Sequence, residues 1–285
     1  MFCRTLIVTF VLLPAVLPTA SHGYDIKARI PDSAFTGKQR PDILGISANS
    51  TADAARGIFE SAFKGRADAK TDIQQQKFGG TSVSYISALN FTATGSGNSE
   101  VLSANFSSPA SGNRAFFVAR SLTFAPDQQP SKAEMVRQVM EKYGVPTLAG
   151  DQHLYYAYRG GSIMSVGAKY KEAAVLEAID RPLDPRMALK LNAESGRGSC
   201  VAVVKRALAR ERTLSALLDD AKGANCDGVL SVQLTSGTPP DRVGAAHFTL
   251  LDVKRIISAT AIDGEALAAE LNERNPQPRG SAPKL

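Results

Sequence analysis

Residues 136–161 read VRQVMEKYGVPTLAGDQHLYYAYRGG, and the way this stretch divides decides the fold. Just upstream, Ser131 stands three residues before Glu134, the spacing of a capping box in which each side chain satisfies a backbone donor at a helix start. Met135, Val136, Val139, Met140 and Tyr143 then recur at helical spacing, Gly144 is placed to end the helix in a left-handed conformation, and Pro146 forbids continuation. The spacing predicts a helix over 132–143. HLYYAYRG follows a short loop and alternates as a strand, with Leu154, Tyr156 and Tyr158 on one face and His153, Tyr155, Ala157 and Arg159 on the other. The first face suits packing under helices. The second makes His153, Tyr155 and Arg159 candidate binding residues, because tyrosine and arginine dominate interface hot spots.

Working outward, residues 24–41 are polar and broken by Pro31 and Pro41, an extended lead-in. Ser50 reads as the N-cap of a helix over about 51–64, with Asp53 near its positive end and Ala52, Ala55, Ile58, Phe59, Ala62 and Phe63 at helical spacing. Three runs, TSVSYISALNFTATG, EVLSANFSS and RAFFVARSLTFAP, are rich in β-branched and aromatic residues and are separated by the turn compositions GSGN and PASGN. They predict an antiparallel meander covered by the two helices. Residues 165–195 read as a partly helical connector, with helical patterns at 171–179 and 185–192. A second, smaller unit over 196–273 begins with SCVAVVKRAL, a predicted strand, followed by a short helix ending at Gly223. CDGVLSVQLT and RVGAAHFTLL then form a hairpin through SGTPPD. VKRIISATAI is ambiguous between helix and strand, and Ala266, Leu267 and Leu271 mark a closing helix. The tail from 274 is polar and contains prolines. The expected class is α+β: an antiparallel sheet against helices over 42–164, then a disulfide-linked α/β unit.

Two cysteines follow the leader, Cys200 and Cys226. An even number in an exported chain argues for a disulfide, whereas zinc would need closer cysteine or histidine spacing. If 199–208 and 227–235 were parallel neighbours about 4.8 Å apart, the two cysteines would start adjacent strands, within the reach of a disulfide.

The order helix, antiparallel strands, capped helix with KYGVP, then the aromatic strand HLYYAYRGG resembles small bacterial envelope domains of the outer-membrane assembly lipoprotein E and β-lactamase-inhibitory-protein type. Those domains also place a helix-ending Gly-x-Pro before an aromatic strand. The resemblance covers about residues 42–165. It departs from the lipoprotein members in lacking a lipid-attachment cysteine and in its longer strand run. It implies an exported, non-enzymatic domain that works through protein contacts.

The N-terminus, MFCRTLIVTFVLLPAVLPTASHGYDIK, has Arg4, an apolar run from Leu6 to Val16, and then small polar residues, the layout of a cleavable secretory signal over 1–23. Cleavage after Ala20 is the alternative to Gly23. The run is too short to span a bilayer and Pro14 and Pro18 interrupt it, and Cys3 precedes it, where no lipid attachment would occur. The chain is then periplasmic or secreted, with no integral span after cleavage. A formal charge of +6 spread along the chain gives no nucleic-acid footprint.

No cofactor or metal motif is present. GRGSC misses a nucleophile elbow because Cys200 replaces the last glycine, and FGGTS, GSGNS and RGGS lack the lysine and spacing of phosphate loops. Asp219 and Asp220 point different ways on a helix and read as solvated charges. Asn49, Asn90 and Asn105 open Asn-x-Ser/Thr triplets, glycan acceptors only in a eukaryotic source. The expected function is therefore an exported, non-enzymatic bacterial envelope protein that binds an envelope or extracellular protein, or an envelope polymer. The alternative is a secreted hydrolase using His153 or His247 with a serine and an acid.

Overall fold

The computed structural model describes residues 26–36, 40–80, 83–95, 97–165, 171–189, 199–209 and 211–274. The leader with Cys3, residues 166–170 and 190–195 of the connector, residues 196–198 of the second unit and the tail from 275 lie outside them. The first helix, α1 (Ala52–Ala62), is capped by Thr51, whose Oγ1 accepts from the Ala54 amide at 3.2 Å. The expected cap, Ser50, instead accepts from the Ser47 amide in the preceding turn. A strand with no apolar alternation follows, β1 (Ala69–Lys77), then the meander β2 (Ser84–Gly95), β3 (Asn98–Phe106) and β4 (Ala115–Thr123). β1 forms the outer edge by pairing with β2, with a bulge between Gln74 and Gln75.

Helix α2 (Lys132–Tyr143) starts at Ser131, whose Oγ accepts from the Glu134 amide at 3.2 Å. The return half of the capping box is not made, since the Glu134 carboxylate takes Arg137 and Gln138 instead. Gly144 ends the helix at φ 86°, ψ −160°, a region open only to a residue without Cβ. Beyond it lie β5 (Leu148–Gly150), β6 (His153–Arg159), β7 (Ser162–Ile163), α3 (Glu172–Ile179) and α4 (Pro185–Leu189).

The stretch CVAVVKRALA, expected as a strand, is helix α5 (Cys200–Ala209). Its buried residues Cys200, Val201, Val203, Val204 and Ala207 follow the helical period, which outweighs their β-branched composition. Next come α6 (Leu214–Lys222), β8 (Gly228–Ser236), β9 (Val243–Leu251) and α7 (Val253–Arg274). Cys200 and Cys226 are bonded, with Cα atoms 5.9 Å apart. The parallel-strand route to that bond is corrected: it ties the first residue of α5 to the loop entering β8.

Among the described residues, all nine strands belong to one antiparallel sheet, in the order β1-β2-β3-β4-β9-β8-β6-β5, with β7 beside β6. The β8–β9 hairpin inserts between β4 and β6: Phe117 pairs with Leu251, and Tyr155 with Ser231. The boundary expected at 165–195 therefore does not separate two cores. Strands from both sides of it share one sheet, and both hydrophobic clusters draw on both segments.

The two clusters lie on opposite faces. One gathers Leu89, Phe91, Leu102, Tyr156, Tyr158 and Leu250 under α1, α2, α3 and residues 34–35 and 43–48. The other gathers Phe117, Tyr155, Ala157, Val229 and Leu251 under α5, α6 and the start of α7. The start of α7, ambiguous in sequence, is set by Asp252, whose Oδ1 accepts from the Arg255 and Ala34 amides at 3.0 Å each. Its Oδ2 accepts from Ser33 Oγ at 2.6 Å. Arg255, also buried, donates to the Ala115 carbonyl and to Asn49 Oδ1. Burial pushes the Asp252 carboxyl up and the Arg255 guanidinium down, so this pair anchors the lead-in at a cost in desolvation. Gly228 leaves the room this anchoring needs, because a Cβ there would sit 2.7 Å from Ala34 and Phe35.

Candidate functional site

The face carrying α5, α6 and α7 is only half covered. Along the strands, Ser103, Ala119, Thr249, Ser231 and Tyr155 form the last buried row. Two residues further on, the registers align Lys70, Thr92, Val101, Ser121, His247, Gln233 and His153 across seven strands. Each member of this row is half-buried or exposed. Six strand spacings make the row roughly 29 Å long. Thr94, Ser99, Thr123, Ala245 and Thr235 continue the same surface. The period of two that turns Leu102, Val118 and Leu250 into one core turns these hydroxyls, amides and imidazoles outward on the other side.

His247 and Ser121 are cross-strand neighbours, with Nδ1 2.9 Å from Oγ. His153 donates from Nδ1 to the Asp151 carbonyl at 2.6 Å and stacks flat on Tyr155, ring centroids 5.2 Å apart. The carbonyl can only accept, so this contact fixes the tautomer and leaves Nε2 of the neutral ring as an acceptor. Burial lowers the pKa of both histidines. For His153 the positive charge of Lys205 and that of His247 push the same way, against Asp151.

Where the helices meet β1, β2 and β3, the same face deepens into a cleft of about 390 Å³. Gln74, Gln76, Tyr85 and Asn105 line the sheet side, and Arg212 and Asp263 the helical side. The β1–β2 bulge opens the floor, and Tyr85 Oη donates to Gln76 Oε1 at 3.3 Å. Asp263 accepts from Ser108 Oγ at 2.7 Å. Burial raises its pKa against the pull of its serine hydrogen bonds. Arg212 lies over the Phe117 ring, 4.7 Å from its centroid, and reaches Ser103 Oγ at 3.4 Å. Burial alone lowers its pKa, and among the described residues no carboxylate pairs with it.

The sequence-predicted trio does not assemble. Tyr155 is 1 % exposed in the second cluster, because β6 lies inside the sheet with helices over both faces. The outward orientation expected for it is corrected. Arg159 is exposed at the far end of β6 and donates to Asn225; six residues of strand hold it roughly 20 Å from His153. His153 instead joins His247 across Gln233. Asp220, expected as a solvated charge, is buried and paired with Arg206. Asn49 is engaged through its side chain by Arg255 and through its carbonyl by Arg114. Arg212, Asp263, Tyr85 and Gln233 carry no local motif; helix packing against the sheet brings the first three to the cleft, and strand order places Gln233 between the two histidines.

Comparison with protein-family models, with curated proteins and with solved structures gives no match. Among the described residues, no group of three or more His, Cys, Asp or Glu is placed to hold a metal ion, and no helix is long and apolar enough to cross a membrane.

Proposed function

We propose that the chain is an exported, non-enzymatic binding protein whose half-open sheet face holds a hydrophilic envelope polymer. The observation that carries this reading is the row Lys70–Thr92–Val101–Ser121–His247–Gln233–His153. It is long and polar, and Val101 is its one apolar member. Protein interfaces are centred on buried aromatic and arginine anchors, yet Tyr155, the tyrosine next to this row on β6, is in the core. Hydroxyls and amides at strand spacing suit instead a chain of hydroxyl-bearing units lying across the strands. The leader composition and the resemblance to envelope domains support the export and envelope parts of the proposal.

Co-sedimentation with insoluble envelope glycan tests it. A His247→Ala/Gln233→Ala variant is expected to bind at least about tenfold more weakly, since each lost hydrogen bond is worth about 1 kcal/mol. A Lys64→Ala variant, altered beyond α1 on the opposite side, is expected to bind as wild type. Equal binding by all three proteins would remove the assignment to this face.

The Ser121–His247 contact favours a second reading, a secreted hydrolase. Against it, no carboxylate orients His247 among the described residues, and the amides beside Ser121 are committed to the β3–β4–β9 ladders rather than free to hold an oxyanion. A fluorophosphonate probe that labels Ser121 would establish the hydrolase and displace the binding role.

A further inference from the structure

We infer that the cleft under α6 and α7 is a subsite for a carboxylate-bearing sugar unit. The cleft is of a size used for small ligands, and Arg212 is its distinctive feature. A guanidinium taken partly out of water normally has a carboxylate or several good acceptors. Arg212 has the face of Phe117 and one long contact to Ser103 Oγ, so most of its five donors remain for a ligand. The stacking holds the planar fork in place, which suits bidentate recognition of a planar anion.

Asp263 decides which anion. Its carboxylate shares the cleft, close enough for its charge to bear on Tyr85. It would repel a phosphate dianion far more than a monoanion and accept hydrogen bonds from ligand hydroxyls. Among the other walls, Gln74, Gln76, Asn105 and Tyr85 offer amide and phenol groups that serve as both donors and acceptors, the complement of a ring of hydroxyls, and Glu211 adds an exposed carboxylate. Cation, hydroxyl-binding amides and two carboxylate acceptors, Asp263 and Glu211, together match a uronic-acid type of unit. The assignment rests on the proposed role of this face as a polymer-binding surface, since the cleft opens onto the same rows: Asp72, Asn90 and Ser103 connect Gln74 and Asn105 to the histidine row.

Titration of the full chain, followed by NMR, with a diglucuronate, its neutral glucose counterpart, glutamate and inorganic phosphate separates the alternatives. Diglucuronate is expected to bind at least about tenfold more tightly than each of the other three, the worth of one charge-assisted contact. Arg212→Gln is expected to abolish this preference, Arg212→Lys to retain part of it, and Asn105→Ala to weaken diglucuronate binding. The thermal midpoint of each variant establishes that it is folded. Equal affinity for the charged and neutral disaccharides, tighter binding of phosphate or glutamate, or an unchanged preference in folded Arg212→Gln would overturn the assignment. The His247→Ala/Gln233→Ala variant keeps the two claims apart. If it loses polymer co-sedimentation while folded Arg212→Gln shows no change in sugar preference, the subsite fails and the polymer-binding face stands.

Discussion

Removing the Cys200–Cys226 bond gives a quantitative test of how the helices on the α5–α7 face are held. The bonded residues are 26 apart in sequence, so the bond closes a loop of about 27 residues, and the chain-entropy relation assigns that closure about 3.5 kcal/mol at 25 °C. Both sulfurs lie in the second cluster with Tyr155, Val203 and Leu217. A Cys200→Ala/Cys226→Ala variant should therefore lose about 3 to 5 kcal/mol, a large part of an ordinary domain's stability. The bond enters β8, which sits between β9 and β6 in the interior of the sheet, so the loss should appear in the whole cooperative transition. Guanidinium unfolding followed by far-UV circular dichroism and by tyrosine fluorescence measures both points, the chain having seven tyrosines and no tryptophan. The two signals should shift together, and reduced wild type should match the variant. A loss below about 1 kcal/mol would refute the loop-closure argument. A fluorescence shift without a circular dichroism shift would show that α5 detaches on its own.

Three further outcomes follow from buried groups. Tyr155→Phe should be neutral or stabilising by up to about 1 kcal/mol in thermal unfolding, because the Tyr155 hydroxyl is buried with no hydrogen-bond partner among the described residues. The same variant should leave polymer co-sedimentation unchanged. Arg255→Met should cost about 3 to 5 kcal/mol by leaving Asp252 without its cation, measured by denaturant unfolding at neutral pH. His153 and His247 have folded-state pKa values below the unfolded value. The unfolded chain then binds more protons, so their contribution to stability is complete above about pH 6.5 and is lost as pH falls through the folded values. A His153→Gln/His247→Gln variant should flatten that fall in midpoints measured between pH 7 and 5; an unchanged slope would refute it.

What sequence carries, and what it does not, follows from the range of the interactions concerned. Helix α2 is legible because Ser131, the Met135–Tyr143 stripe and Gly144 all act within a few residues of one another. The β2–β4 meander is legible because its turns are short. The α5 helix is legible in principle, since Cys200, Val201, Val203, Val204 and Ala207 have helical spacing, but three valines in a short run resemble a strand when composition is weighed first. β1 has no such signal. AKTDIQQQK has only Ala69 and Ile73 to pack against the core and becomes a strand because β2 offers it a partner, while its lysines and bulge suit an exposed edge. The insertion of β8 and β9 between β4 and β6 is the feature least visible in sequence. Nothing within either segment announces a partner 70 or more residues away, and a partly helical connector reads as a boundary when it is a crossing within one fold.

The same insertion relocates the candidate site. Read alone, β6 has an apolar face and an opposite face bearing His153, Tyr155 and Arg159 that would be open to solvent. Once β8 and β5 flank it and α5 lies above, the middle of that opposite face is core, and only the strand's ends reach solvent. His153 gains its neighbours through the ladder instead: Gln233 is its β8 partner, and His247 is the β9 partner of Gln233. Arg212, between α5 and α6, is set over Phe117 of β4 because the burial of Val203, Val204 and Leu217 packs those helices into the same cluster as Phe117. The local sequence thus determines which residues are polar and how they alternate, and the strand order determines which of them share a surface. For this chain the distinction falls between a tyrosine strand that builds the core and a row of hydroxyls, amides and imidazoles, beginning on other strands, that is left open for a ligand.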